Sequence, residues 1–147
     1  MHFVRIVACF LLFAALPACA ASWRAEGGKA GGLSLEDLSG HTYFLVSMDG
    51  ESFDGDKTPE LGFSKEGHIA GSACNRFSGM AKIEGGMLTA TNVASTRMAC
   101  FHPFLNTLEQ TLFDMLQHGA RISLDGRQLT LAQDGHILMY SLPSSNP

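Results

Sequence analysis

Charge is scarce in this 147-residue chain. Asp, Glu, Lys and Arg together make up 16% of it, and the formal net charge is −4. No basic run or patch stands out, which argues against a nucleic-acid partner, since neutralising phosphates takes clustered cations. Metal-site patterns are missing too. There is no C-x-x-C and no H-E-x-x-H, and His41, His68, His102, His118 and His136 are scattered along the chain, so no zinc site and no cofactor are expected. After residue 20 no stretch is apolar long enough to span a bilayer. Nor is there a long-period internal repeat. What the chain does have is apolar residues, 46% of the total. At this length one domain can bury roughly two-thirds of its unfolded surface.

The beginning is organised differently. In "MHFVRIVACFLLFAALPACAAS", Arg5 forms a minimal positive region, Ile6 to Leu16 form a short apolar core, and small residues follow. That is the layout of a secretory signal peptide. Leu16-Pro17-Ala18-Cys19 resembles a lipobox, although Pro17 replaces the usual small residue. Residues 1–19 are therefore expected to be a lipoprotein leader with Cys19 acylated; the alternative is cleavage after Ala20 and release as a soluble periplasmic protein. Residues 20–34, rich in Gly and Ala, read as a flexible tether, and 35–147 as the folded domain. The expected location is the cell envelope, on the outer membrane facing the periplasm. Ala20 favours that membrane mildly, because an acidic residue there would favour the inner one.

Within the domain the apolar pattern has a period of two, then briefly 3.6, then two again. Tyr43 to Met48 reads as a strand stopped by Asp49-Gly50, a hairpin signal. Short strands flank Lys65-Glu66-Gly67 and Glu84-Gly85-Gly86, and Ala94 to Cys100 reads as an extended return strand. From His102 to His118, apolar residues at Phe104, Leu105, Leu108, Leu112, Met115 and Leu116 fall at helical spacing. Pro103 suits the first turn of that helix and Gly119 its end. A three-strand meander with Asp125-Gly126 and Asp134-Gly135 turns follows. The fold class is α+β: short antiparallel strands in a barrel-like sheet with one amphipathic helix packed into or across it.

The chemistry concentrates in "GSACNRFSG" and "STRMAC". In an exported chain Cys74 and Cys100 are an even pair in an oxidising compartment. A disulfide closing that loop would restrict the unfolded chain by roughly 3–4 kcal/mol. The other readings are two buried thiols, or a nucleophilic Cys, which needs an adjacent base and an electropositive setting. Asn75 is expected to bond backbone in a turn. Arg76 and Arg97 are each within three residues of a cysteine, so a cross-link there would let the two guanidinium forks converge on a carboxylate or phosphate. The plainer alternative is a structural ion pair. The acidic stretch with Glu51, Asp54 and Asp56 lacks calcium-loop spacing and reads as a solvated turn. Met98, Phe101 and the other Met and Phe residues read as core, or as the lining of an apolar pocket.

With "GSACNRFSG", "ASTRMAC" and "RQLTLAQDGHILMYSL" in this order, the chain resembles the META/HslJ-like domain family from about Gly40 to Leu142. The resemblance implies a cracked antiparallel β-barrel with one inserted helix, similar to the barrel of the pilotin lipoproteins that escort secretins. It also implies links to heat shock and novobiocin resistance, and it supplies no catalytic residue. The combined expectation is a non-enzymatic envelope protein that binds or stabilises an unidentified envelope component under stress. The rival is a carrier of a small lipid-like ligand held in the barrel.

Overall fold

A computed structural model describes residues 32–144. The leader, Cys19 and the tether through residue 31 lie outside the described residues, as do 145–147. Eight antiparallel strands close a barrel in chain order: β1 (Thr42–Met48), β2 (Glu60–Phe63), β3 (His68–Ser72), β4 (Arg76–Glu84), β5 (Met87–Ser95), β6 (Ala120–Asp125), β7 (Gln128–Gln133) and β8 (His136–Ser141). A single-turn helix, α1 (Leu35–Leu38), precedes β1, and a long helix, α2 (Pro103–His118), separates β5 from β6. Leu33, read from sequence as tether, is buried.

Alternation sets which face is inside. Phe77, Gly79 and Ala81 of β4 point inward and the residues between them outward. Glycine makes two of the turns possible. Asp134 and Gly135, at φ 48° and 88°, are both left-handed, as are Gly85 and Gly86 at 56° and 77°, and a two-residue turn of this hand matches the twist of paired strands. One expected hairpin is absent. Asp49-Gly50 closes only an isolated Met48–Glu51 bridge, and the chain then runs to Glu60 before β2 begins. Asp49 is occupied elsewhere: its Oδ1 accepts the Ile137 N–H at 2.7 Å and its Oδ2 lies 2.8 Å from His136 Nδ1. Those bonds tie the end of β1 to β8. The return strand expected over Ala94–Cys100 also stops early, at Ser95, because the next residues are bonded to the β3–β4 connection.

Helix α2 has Pro103 in its first turn and ends at Gly119, whose N–H bonds the Met115 carbonyl at 2.9 Å. Its apolar face, Leu108, Leu112, Met115 and Leu116, is fully buried in one core shared with Leu61, Ile69, Leu88, Ile122, Leu129, Leu131 and Leu138. Burying one such side chain contributes roughly 1.5–3 kcal/mol. The barrel interior is thus occupied by side chains. The helix lies across the end of the barrel where the odd-numbered strands finish: Glu109 reaches the β3–β4 connection, and Gln110, Thr111 and Asp114 face the β7–β8 turn. Every seam of the ring carries strand pairing, and the β5–β6 seam is the shortest, Met87↔Arg121 and Leu88↔Ala120. Beyond it, β5 faces α2.

Candidate functional site

The segment from Thr96 to His102 links β5 to α2 without regular structure of its own. Three sets of bonds fix it. Cys100 is bonded to Cys74, with Cα atoms 6.0 Å apart. Next to that link, Asn75 is buried (6% exposed), and all of its side-chain polarity is used. Its Oδ1 accepts from the Met98 N–H at 2.8 Å and from the Thr96 hydroxyl at 3.0 Å. Its Nδ2 donates to Glu109 Oε1 at 3.1 Å and, at 3.4 Å, to the Met98 carbonyl. The Asn75 backbone N–H donates to the other Glu109 oxygen at 2.6 Å. Asn106 of α2 closes the set, its Nδ2 donating to the Cys100 carbonyl at 2.9 Å. An asparagine is the residue that can give and take here: a carboxylate at position 75 would face Glu109 with like charge, and an apolar residue would leave buried groups unpaired.

On this frame the chain displays two large apolar side chains. Phe101 is 94% exposed and Met98 74%. Both were expected in the core, and the correction has a clear origin: the fixed loop turns them outward, a position that hydropathy does not encode. Beside them, Phe53 stacks on Phe104 (centroids 5.6 Å, 26° between planes), and His102 meets Phe53 edge-on at 5.3 Å. This aromatic group carries the loop with Glu51, Asp54 and Asp56, all exposed, against the start of α2.

The arginines do not converge. Arg97 lines a groove between β5 and α2 with Phe113 and Gln117. Arg76 lines a different depression, with Glu60, Thr42 and Phe77. Neither guanidinium has an ion-pair or hydrogen-bonding partner among the described residues. The cross-link joins their backbones, with the Thr96 N–H donating to the Arg76 carbonyl at 3.0 Å, while the side chains leave in different directions. All five domain histidines are exposed. His118 sits 3.0 Å from Asp114, and His136 pairs with Asp49. The hydrogen bond from His136 and the Ile137 N–H hold the Asp49 carboxyl below its usual range. Among the described residues no three His, Cys, Asp or Glu side chains gather as a metal site, and no helix is long and apolar enough to cross a membrane.

An eight-stranded antiparallel barrel with one helix across its end, stapled at the β3–β4 connection, defines the class of domain. The chain belongs to the META domain family, whose model matches residues 36–145. It is 44% identical over 108 residues to heat shock protein HslJ of Escherichia coli strain K12, covering 73% of this chain and 77% of that one. A protein solved by NMR is 42% identical, with a TM-score of 0.70 over 75% of this chain and 95% of its own. Two more distant structures share the fold. One is an NMR structure from Burkholderia xenovorans (22% identical, TM-score 0.58, 75% and 86% covered). The other is a DUF4847 family protein from Bacteroides vulgatus (13%, TM-score 0.52, 76% and 98% covered).

Proposed function

We propose that this META domain is a non-enzymatic binding module of the bacterial envelope. In this reading it is exported, anchored through Cys19, and engages another envelope protein under heat or antibiotic stress. One observation carries the binding role: Phe101 and Met98 are held out on a loop fixed by a disulfide and by the Asn75 hydrogen bonds. An exposed aromatic and a methionine are the residue types enriched at the centre of protein interfaces. A loop fixed before contact also loses little entropy on binding. The cysteines are consumed by the staple and so offer no nucleophile, and the heat-shock name of the Escherichia coli relative supports the stress setting.

Carriage of a lipid inside the barrel is the weaker reading, because the four buried helix residues fill the space a ligand would need. We place any opening of the barrel at the short β5–β6 seam.

The test is photo-crosslinking in heat-stressed cells with p-benzoyl-phenylalanine in place of Phe101. A discrete light-dependent adduct with one envelope protein, missing when the probe replaces exposed Lys82 on β4, is the expected result. Equal or absent labelling at both positions would remove the loop as the binding surface.

A further inference from the structure

One edge of β5 meets no strand over most of its length and has α2 alongside it. The strand pairs with β4 from Met87 to Ser95, but with β6 only at Met87 and Leu88. From Thr89 to Ser95 its other edge meets no strand among the described residues, and no hydrogen bond from α2 or a loop reaches its backbone there. A groove of about 610 Å³ lies along this edge. Its lining includes four consecutive residues, Asn92, Val93, Ala94 and Ser95. Phe113 and Gln117 of α2 form the other wall, so the groove runs between this part of β5 and the helix.

The edge is also shaped. Ser78 pairs with Ala94 and Met80 with Thr91, so Asn92 and Val93 both stand opposite Gly79. Asn92 is left-handed at φ 53°, which makes this a β-bulge, a device found at sheet edges and beside binding sites. Glycine at 79 leaves room for it: a Cβ there would lie a tight 3.0 Å from both the Thr91 carbonyl oxygen and Val93 Cγ2. The groove offers apolar surface at Val93 and Phe113, and the unpaired Arg97 guanidinium beyond the end of the strand.

We propose that this edge receives an extended peptide as an added strand, with an apolar side chain against Phe113 and Val93 and a carboxylate on Arg97. The inference rests on the reading of the domain as a protein-binding module, and adds how the partner is held: through its main chain. An unpaired strand edge presents both N–H donors and C=O acceptors, and only another polypeptide backbone matches both in alternation. A lipid headgroup would satisfy Arg97 and leave the edge carbonyls without donors.

The probe is a phage library of random twelve-residue peptides with free C-termini, selected on the purified domain. Peptides that bind are remade with N-methyl groups on alternate residues, in both registers, so that the chemistry changes in the peptide and the fold of the protein is untouched. Methylation in one register is expected to weaken binding at least about tenfold, the loss of one or two hydrogen bonds, and in the other register hardly at all. Arg97→Gln should weaken carboxylate-bearing peptides about fivefold or more. A library that yields nothing, or peptides equally tolerant of methylation in both registers, would overturn the proposal. So would a concentration-dependent dimer of the domain that excludes every selected peptide, since the occupant is then a second copy. Failure here is separable from failure of the binding reading: an adduct at Phe101 with no peptide from the library leaves a binding module that does not use its edge.

Discussion

Asn75 and Glu109, 34 residues apart, are joined twice: the Asn75 backbone N–H donates to Oε2 at 2.6 Å and the side-chain Nδ2 to Oε1 at 3.1 Å. This pair docks α2 onto the β3–β4 connection, while the remaining Asn75 oxygen holds Met98 and Thr96. Asn75→Ala leaves those donors and Glu109 Oε1 without partners, while the backbone N–H of residue 75 still reaches Oε2. The expected cost is about 2–3 kcal/mol, a fall of roughly 8–12 °C in Tm for a domain this size. Glu109→Gln keeps the shape but turns one acceptor into a donor, and should cost about 1–2 kcal/mol. Thermal melts of the two single variants and the double variant give the coupling. Additive losses would mean that the two residues act independently.

The disulfide is the second support of the same loop. Cys74 and Cys100 are 26 residues apart, so the cross-link constrains the unfolded chain by about 3.5 kcal/mol on the chain-entropy model. Cys74→Ser/Cys100→Ser should lower the unfolding free energy by that amount, read as a lower urea midpoint, with a compact native state retained. The Asn75 bonds remain in the variant, so the loop is expected to loosen rather than unfold. Hydrogen exchange at the Met98 amide reads this directly: protection should drop there before it drops in β4.

Much of this architecture was legible in the sequence, and the boundary of legibility is physical. Alternation and diglycine or Asp-Gly turns gave the strands, and the 3-and-4 spacing from Phe104 to Leu116 gave α2 to within a residue. These are local signals, stored in neighbouring residues. The destination of a side chain in a loop is not local. Phe101 and Met98 have the hydropathy of core residues, and they face solvent because Asn75 and Cys74, more than 20 positions away, hold their backbone. Arg76 and Arg97 failed to converge for the same reason: closeness of backbones does not fix where long side chains point. The strand-free edge of β5 depends on where β6 pairs, which no pattern within either strand announces. "GSACNRFSG" also carries a need for small residues that only the structure reveals.

That need is sharpest at Gly71. On β3, opposite Leu61, a Cβ at this position would collide with the Glu60 carbonyl oxygen, which is backbone and cannot swing away. Gly71→Ala should destabilise the domain by about 3 kcal/mol or more, with β2 and β3 forced apart. Ala70→Gly, one position earlier on the exposed face, should cost only about 1 kcal/mol, the usual backbone penalty. Equal Tm values for the two variants would show that the close approach of the strands is not required.

Acid should reveal the tie between β1 and β8. Asp49 is held below its ordinary pKa of 3.8 first by the His136 hydrogen bond and then by the Ile137 N–H. A carboxyl with a lowered folded pKa adds stability above the unfolded value, and that stability drains away as pH falls below about 3.8. Asp49→Asn keeps a residue that tolerates the left-handed backbone at φ 53° and removes the charge. The variant should be less stable than the parent at pH 7 and indistinguishable from it at pH 2, measured by urea midpoints. A gap that stays constant down to pH 2 would assign the effect to shape, with no part for the carboxylate charge.

Phe101 separates binding from folding. At 94% exposure its side chain loses almost no contact with water when the chain folds, so Phe101→Ala should leave the unfolding free energy unchanged to within about 0.5 kcal/mol. The same truncation at Leu112, fully buried on α2, should cost about 2–5 kcal/mol. If Phe101 anchors a partner, the opposite ordering holds for binding. Truncation of an aromatic at the centre of an interface costs about 2 kcal/mol or more, a loss of roughly thirtyfold in affinity. Recovery of the crosslinked envelope protein on immobilised Phe101→Ala domain, compared with immobilised parent, reads that loss against an unchanged melting curve. Undiminished recovery would leave the aromatic without a role at the surface it dominates.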